Sequence, residues 1–253
     1  MWHLALCFIF VINMEKHKKT IQVCFTPVLF PLYESSDAIV VVIDVLRATS
    51  AIVTAFENGV SRIIPVSTVE EAIEYKNKGY LAAAERDGII IEGFELGNSP
   101  FGYMQEKVKG KDVVITTTNG TKAINVAKNS HKVIIGSFLN LKAVTDYLIK
   151  ENKDVLFLCA GWKDKFNMED SLFAGAVATE LVKSSFFETE CDSTTATIQL
   201  YSLAKADLYS FLGNSSHRYR LAKLNLEKDI RYCLQESISD KVPIYKNGSI
   251  VDS

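Results

Sequence analysis

The sequence lacks the motifs by which several large enzyme classes bind phosphates or metals. It has neither a GxxxxGKS/T phosphate loop nor a GxGxxG fingerprint, which excludes the common nucleotide and dinucleotide cradles. An HExxH motif is also absent, and the four histidines never stand at the spacing of zinc ligands. Any phosphate or metal ion must therefore be bound by a different arrangement of side chains.

Cysteine is scarce and shows no pairing in the sequence. The five cysteines lie far apart, no two form a CxxC pair, and their total is odd. This pattern argues against a zinc site and against a disulfide framework. We therefore expect reduced thiols and a cytoplasmic location.

An excess of positive charge is missing as well. The formal net charge is -2, the isoelectric point is about 6.1, and no run of Lys and Arg is interleaved with aromatic residues. Such a chain has no general attraction to nucleic acid, so we expect no nucleic-acid partner. An anionic ligand must be held by positive charge that is local to its site.

The N-terminal segment MWHLALCFIFVIN is apolar, but no basic residue precedes it and no small-residue cleavage site follows it. It is too short to span a bilayer, and we expect no membrane partner. The charged segment that begins at Met14 indicates that Met14 is the natural start and that residues 1–13 are upstream sequence outside the folded unit. A signal anchor is the alternative interpretation. A native mass that includes residues 1–13 would contradict the first interpretation.

The rest of the chain has the pattern of an α/β protein. With 253 residues, of which 48% are hydrophobic, it has enough apolar material for one large core or two smaller lobes. Up to about residue 182, short apolar strands alternate with amphipathic helices, which predicts a three-layer α/β/α fold with a largely parallel sheet. Beyond residue 190 the chain is more helical and ends in an extended pair near VPIYKNGSIVDS. We expect one compact unit over residues 14–253, or two lobes at about 14–136 and 137–253 with the site between them.

Polar residues follow the carboxyl ends of four predicted strands, which is where ligands bind in open parallel sheets. Asp44 and Arg47 follow AIVVVI, Glu85 follows YLAAA, and the stretch TTTNGT follows DVVI. The fourth strand, DVLFL, is followed by CAG and soon afterwards by Glu169 and Asp170. Four such clusters at one edge of a sheet predict a ligand site, and we take these five named residues as the candidate catalytic residues.

Each of these residues also has an ordinary structural explanation. Asp44 suits the cap of the helix that follows it, and Arg47 suits an exposed position with a buried stem. Glu85 would form a local ion pair with the arginine after it. Glu169 and Asp170 complement the dipole at the start of a helix. The position of the whole set at the strand ends favours the functional interpretation.

The candidate site is rich in carboxylates and has no paired histidines or thiolates. This donor set favours a hard cation over zinc. We therefore expect Mg²⁺ as the cofactor, with Asp44, Glu85 and Asp170 as its ligands.

Several long motifs, in order, resemble the 2-phosphosulfolactate phosphatase family. They are VVVIDVLRATSAIVTA, GFELGNSP, TTTNGT, and CAG followed by MEDSLFAGA, with SSHRYRL and DKVPIYKNGSI as later landmarks. The resemblance covers roughly residues 19–252. It implies magnesium-dependent hydrolysis of 2-phospho-3-sulfolactate to 3-sulfolactate and phosphate, a step of coenzyme M biosynthesis.

A substrate of this kind carries phosphate, carboxylate and sulfonate groups, so its site needs cations and many neutral donors. A strand end followed by a helix N-terminus supplies hydroxyl and backbone N–H donors to phosphate oxygens, and GNSP repeats this arrangement with a proline in the first helical position. The predicted substrate-binding residues are Arg86, Asn98, Ser99, Thr117, Thr118, Asn119, Thr121 and Lys122, to which the resemblance of SSHRYRL adds His217 and Arg220.

Two alternatives for the activity stay open. Glu95 stands where the family motif has Asp, and SSHRYRL is a loose version of its counterpart, so a phosphatase of the same fold acting on another small acidic phosphate ester is one alternative. The other is a non-catalytic anion-binding protein, which would keep the basic and hydroxyl residues but lose the acids. The oligomeric state is open between a monomer and a homo-oligomer.

The sequence does not identify the nucleophile. Asp44 either attacks phosphorus directly or binds a magnesium ion that activates water. In aspartyl phosphatases a second Asp, two residues after the first, donates the leaving-group proton, but Leu46 occupies that position here. We therefore favour attack by water.

Overall fold

The computed structural model describes residues 17–33 and 37–253, so the expectations for residues 1–13 lie outside the described part. The strands are β1 Lys19–Cys24, β2 Ile39–Ile43, β3 Arg62–Pro65, β4 Leu81–Arg86, β5 Ile89–Ile90, β6 Asp112–Thr116, β7 Lys132–Gly136, β8 Val155–Cys159, β9 Phe187–Glu188, β10 Ile244–Lys246 and β11 Ser249–Val251. The α-helices are α1 Ala48–Glu57, α2 Val69–Asn77, α3 Gly120–Ala127, α4 Leu141–Glu151, α5 Met168–Lys183, α6 Asp192–Ala204, α7 Leu208–Phe211, α8 Ser216–Lys223 and α9 Glu227–Cys233.

All these strands form one sheet in the order β5-β4-β6-β3-β11-β10-β7-β2-β8-β1-β9. Two parallel blocks, β4-β6-β3 and β7-β2-β8-β1-β9, are joined by the antiparallel C-terminal hairpin β10-β11. Strand β5 is antiparallel at one edge. The prediction of a largely parallel sheet is confirmed, and the predicted extended pair at the C-terminus lies in the middle of the sheet.

The helices cover both faces of the sheet because its central strands are apolar on both sides. In β2 all five residues are buried; Ile39, Val41 and Ile43 pack in the cluster that includes α4 and α5. Val40 and Val42 pack in the opposite cluster, with α1 and α3. Alternation along one buried strand therefore builds two cores, and the three-layer α/β/α prediction is confirmed.

The expected division into lobes at residue 136 is not confirmed. Strand β2, from the first expected lobe, pairs with β8, from the second, along its full length from Ile39 opposite Val155 to Ile43 opposite Cys159. The sheet is thus continuous across this boundary.

Local signals in the sequence account for helix ends. At the start of α2, Thr68 accepts a hydrogen bond from the backbone N–H of Glu71, whose side chain accepts in turn from the N–H of Thr68, which is a capping box. Gly79 follows α2 with a φ of +89° that strongly favours glycine. Among the described helices, none is both long and apolar enough to cross a membrane.

Candidate active site

A cavity opens at the carboxyl ends of the parallel strands and is bounded by α8. The space in the cavity and at its open mouth is about 300 Å³. Its lining consists of Asp44, Leu46, Arg47, Glu85, Gly88, Asn98, Asn119, Trp162, His217, Arg220 and Leu221. The structure thus brings together seven of the residues that the sequence analysis selected, although they come from five separate segments of the chain.

Asp44 lies directly after β2 at the base of the cavity. Its side chain is buried, and Oδ1 accepts a long hydrogen bond of 3.4 Å from the backbone N–H of Ala48. Burial raises the pKa of Asp44 to about 6; nearby His217 opposes this shift, and Glu85 and Glu169 add to it. The site therefore holds a carboxylate whose charge is poorly compensated by the protein.

Gly120, the first residue of α3, allows this helix to approach Asp44. A Cβ at this position would lie 2.7 Å from the Cβ of Ala48 and 3.0 Å from Oδ2 of Asp44. Any larger residue would push the helix N-terminus away from the carboxylate. This steric role of Gly120 was not predicted from the sequence.

Glu85 and Asn98 are hydrogen-bonded to each other. Oε2 of Glu85 accepts a hydrogen bond of 2.9 Å from Nδ2 of Asn98, and Oε1 accepts one from the backbone N–H of Gly88. Both side chains are buried, and Oδ1 of Asn98 has no partner among the described residues. The motif GNSP thus orients the carboxylate of Glu85, the penultimate residue of β4.

Arg47 is buried at 5% exposure, so its interpretation as a surface residue is wrong. Its Nη1 donates to Oδ2 of Asp229 at 2.5 Å, and its Nη2 donates to the carbonyl oxygen of Gly88 at 2.9 Å. Asp229 belongs to α9, 182 residues further along the chain, and the sequence analysis missed it. The buried ion pair fixes the guanidinium at the wall of the cavity.

Glu169 and His217 form a buried pair. Oε1 of Glu169 is hydrogen-bonded to Nδ1 of His217, and Oε2 of Glu169 is buried without a partner among the described residues. Glu169 comes from the first turn of α5 and His217 from the first turn of α8. Glu169 itself does not line the cavity; it reaches the site through the imidazole ring.

Asp170 is held by protein donors on both carboxylate oxygens. Oδ1 accepts from the backbone N–H of Val45 at 2.8 Å, while Oδ2 accepts from the N–H of Gly161 at 3.2 Å and from Nδ2 of Asn167 at 2.9 Å. Burial, with Asp44 and Glu169 nearby, raises its pKa well above the usual range. Asp170 is also outside the lining of the cavity, unlike Glu85, so we revise its expected role as a metal ligand: it joins the backbone after β2 to the backbone after β8.

The threonine-rich stretch is used largely for its own structure. Oγ1 of Thr117 accepts from the N–H of Thr121 at 3.1 Å, and Oγ1 of Thr121 donates to the carbonyl of Thr117 at 2.8 Å. Thr118 has a buried hydroxyl without a partner among the described residues, and it does not line the cavity. Of this stretch, Asn119 alone is in the lining. The hydroxyls thus shape the start of α3 instead of surrounding the cavity.

Three other predicted donors lie outside the lining. Arg86 donates to the carbonyl of Glu85 at 2.7 Å and to Oγ1 of Thr116 at 3.0 Å. Lys122 pairs with Asp164 at 2.6 Å on the surface. Ser99 precedes the 3-10 helix Pro100–Met104, which confirms the predicted helical role of the proline. The structure therefore does not bring these side chains to the cavity.

Trp162 was also missed. The guanidinium carbon of Arg220 lies 3.2 Å from the centre of the Trp162 ring, and the His217 ring stacks on the same indole with 5.7 Å between centres. Nη1 of Arg220 is buried without a hydrogen-bond partner among the described residues. The position of this tryptophan directly after CAG, at a predicted strand end, was the available signal.

Cys159 is expected to be structural although it ends β8 beside the site. Its thiol is fully buried, and burial raises its pKa well above the usual range, with Asp170 adding to the effect. Cys159→Ala should therefore keep most of the turnover, and iodoacetamide should leave the native enzyme active. Loss of most of the turnover in a folded Cys159→Ala variant, or inactivation that substrate prevents, would contradict this expectation.

Known proteins resemble this chain over most of its length. Residues 24–248 match the family described as 2-phosphosulpholactate phosphatase. Three similar proteins carry the name "Probable 2-phosphosulfolactate phosphatase". The one from Caldanaerobacter subterraneus subsp. tengcongensis is 45% identical over 83% of this chain and 89% of its own length. The relative from Thermotoga maritima is 44% identical over 83% of this chain and 90% of its own length. The relative from Clostridium perfringens strain 13 is 38% identical over 84% of this chain and 87% of its own length. The chain therefore belongs to the 2-phosphosulpholactate phosphatase family.

Proposed function

We propose that this protein is a cytoplasmic phosphatase that hydrolyses 2-phospho-3-sulfolactate to 3-sulfolactate and phosphate, as in coenzyme M biosynthesis. The observation that carries the proposal is the cavity at the strand ends, in which Asp44 and Glu85 face Arg47, His217 and Arg220. Carboxylates and cations in one small cavity suit a phosphate ester that bears further acidic groups. The names of the relatives support the same activity.

In this proposal the phosphoryl group lies near Asn119 and the N-terminus of α3. Helix N-termini present free N–H groups and partial positive charge, which favour phosphate. Arg47 is fixed by Asp229 and Gly88, so it offers its charge without a loss of side-chain freedom on binding. Arg220 provides the second guanidinium for the carboxylate or sulfonate.

The residues of the cavity fit a magnesium ion that is held jointly with the substrate. No group of three or more His, Cys, Asp or Glu side chains is arranged as a metal site within residues 17–33 and 37–253. Mg²⁺ is commonly bound by one or two carboxylates together with substrate phosphate and water. Asp44, with its poorly compensated carboxylate, and Glu85 would hold it. When bound, the ion would neutralise charge on the phosphoryl oxygens.

We further propose that water, and not Asp44, attacks phosphorus. Leu46 is buried in the position that carries the second acid of aspartyl phosphatases, so the covalent route has no acid there. Catalysis then depends on the orientation of the phosphoryl group and on electrostatic stabilisation of its transition state. An acid-stable, hydroxylamine-sensitive adduct in rapid-quench labelling would contradict this step.

Activity is expected to require a divalent cation, with magnesium more effective than zinc, because the available ligands are carboxylates. The measurement is phosphate release from 2-phospho-3-sulfolactate and from other small phospho-acids, with Mg²⁺, with Zn²⁺ and after exhaustive chelation by EDTA. Full activity after chelation would refute the metal requirement. Turnover of another phospho-acid, but not of the sulfolactate ester, would support the alternative substrate class.

A further inference from the structure

We propose that His217, oriented by Glu169, is the general acid that protonates the oxygen of the leaving alcohol. This inference rests on the proposed phosphatase function and gives a specific chemical step to a histidine that the sequence analysis treated as a binding residue.

The imidazole ring of His217 is held from two sides. Glu169 binds Nδ1 from the buried first turn of α5, and the indole of Trp162 lies against the ring face at an interplanar angle of 26°. The start of α8 is itself fixed, because Oγ of Ser215 accepts a hydrogen bond of 3.2 Å from the N–H of Arg218. The ring therefore has one well-defined orientation.

This orientation leaves Nε2 as the reactive nitrogen. Nδ1 donates to the carboxylate of Glu169, which orients the ring as in other carboxylate–histidine pairs, and the imidazolium form carries its second, transferable proton on Nε2. Nε2 has no hydrogen-bond partner among the described residues, yet it is not among the buried polar atoms that are sealed from solvent. Because His217 lines the cavity, Nε2 opens into it.

The chemistry requires such a group. The leaving group of a 2-phospho acid is the oxygen of a secondary alcohol, which is a poor leaving group unless it is protonated as the bond to phosphorus breaks. In the step proposed, the phosphorus–oxygen bond to the substrate breaks and the proton of Nε2 moves to that oxygen. A bond forms between phosphorus and a water oxygen, and phosphate keeps the protons of the water. Phosphate then releases a proton to solvent and His217 regains one, so no group is consumed.

The other polar groups around the ring are less suited to this role. The titratable residues around His217 are Glu169 on α5, Asp44 after β2, Glu85 at the end of β4 and Arg220 on α8. A guanidinium does not give up its proton in proteins. Asp44 and Glu85 are the groups that we assign to magnesium, and Glu169 has no direct access to the cavity.

The test compares His217→Gln and Glu169→Gln with the wild-type enzyme and with Arg47→Lys as a control that slows the reaction by another route. With Mg²⁺ present, kcat and KM for 2-phospho-3-sulfolactate, or for the phospho-acid that the enzyme turns over, are measured. The isotope effect of ¹⁸O in the bridging position is measured by competition. We expect kcat of His217→Gln to fall on the order of 10²- to 10⁴-fold with little change in KM. The isotope effect at the bridging oxygen should be larger in His217→Gln and in Glu169→Gln than in Arg47→Lys, because the leaving oxygen then departs without a proton.

A measurement on the wild-type protein alone, without substrate, tests the inference even if a variant fails to fold. In ¹⁵N NMR spectra of the wild-type protein, His217 should show a protonated, hydrogen-bonded Nδ1. A His217 that lacks a proton on Nδ1, or that carries none on Nε2, across the active pH range would overturn the proposal, as would a folded His217→Gln variant within threefold of wild-type kcat. An isotope effect in His217→Gln equal to that of Arg47→Lys would also overturn it and leave His217 as a binding residue. If the wild-type enzyme hydrolyses none of the phospho-acids, the proposed function falls together with this inference.

Discussion

Replacement of Asp44 by asparagine is expected to abolish turnover and, at the same time, to stabilise the fold. The loss of activity should be on the order of 10³-fold or more, since the proposed site loses the carboxylate at its base. The gain in stability has a separate cause. Burial raises the pKa of Asp44 from an ordinary value of 3.8 to about 6, so the folded chain pays to ionise this group.

The sign of the effect follows from this raised pKa. Below about pH 4 the carboxyl is protonated in both folded and unfolded chains, and no penalty arises. The penalty grows as the pH rises from about 4 to about 6 and is complete above that, where it is about 3 kcal/mol. Asparagine carries no charge, so Asp44→Asn should raise the free energy of unfolding by up to this amount at pH 7.5 and by much less near pH 4.5.

The measurement is urea unfolding of the metal-free protein at both pH values. Asp146 provides a matched control: it is an exposed aspartate on α4 that pairs with Lys142, and its replacement by asparagine should change stability by less than about 0.5 kcal/mol. If Asp44→Asn lowered the free energy of unfolding, or raised it equally at the two pH values, ionisation of the buried Asp44 would not destabilise the fold. Retained turnover would remove Asp44 from the reaction altogether.

The part of the site that follows strand ends could be predicted from the sequence. Apolar runs such as AIVVVI and YLAAA specify parallel strands, and the topology of such a sheet brings their carboxyl ends to one edge. Asp44 and Glu85 therefore fall in the cavity whatever the details of packing. The motif GNSP added Asn98 for the same reason, since it precedes a helical turn close to the end of β4.

Contacts that depend on tertiary packing could not be predicted. Nothing in the spacing of Asp229 distinguishes it from the other acids of the helical C-terminal region, and its role depends on how α9 docks against the cavity. The same limit applies to Asp170. An acid in the first turn of a helix looks the same in the sequence whether it binds a metal or joins the backbone segments after two strands. The hairpin β10-β11 was predicted as extended, but its insertion between β3 and β7 depends on pairing partners more than 100 residues away.

The threonines show a second kind of limit. Hydroxyls at a strand end suit a phosphate site, but they equally suit a helix start that needs its N–H groups satisfied. In the structure the Thr117 and Thr121 side chains bond to each other's backbone, which uses the hydroxyl and N–H donors of Thr121 that the sequence assigned to substrate. The threonines therefore indicated a cluster of hydroxyl groups at this strand end. Whether those hydroxyls bond to a ligand or to the backbone at the start of α3 depends on positions that the sequence does not specify.

Arg47→Lys is expected to lower kcat/KM by about ten- to a hundredfold, which corresponds to roughly 1.4–3 kcal/mol of transition-state stabilisation. Lysine keeps the charge beside Asp229 but cannot also donate to the carbonyl of Gly88, because it lacks the planar fork. The ammonium group would therefore be placed less exactly at the cavity wall. The variant should fold, since Asp229 still has a cationic partner.

Asp229 is expected to act through Arg47, and a double-mutant cycle tests this. Asp229→Asn should also lower kcat/KM, and the double variant should lose little more than the worse of the two single variants, because both changes free the same guanidinium. The partly exposed pair Arg62–Asp112, outside the cavity lining, serves as the control, and Arg62→Lys should leave kcat/KM unchanged. If the losses from Arg47→Lys and Asp229→Asn simply multiplied, Asp229 would act independently of Arg47. If Arg47→Lys kept most of its activity, the fork would serve only the fold, and Arg220, with its unpartnered Nη1, would be the guanidinium that binds the phosphoryl group.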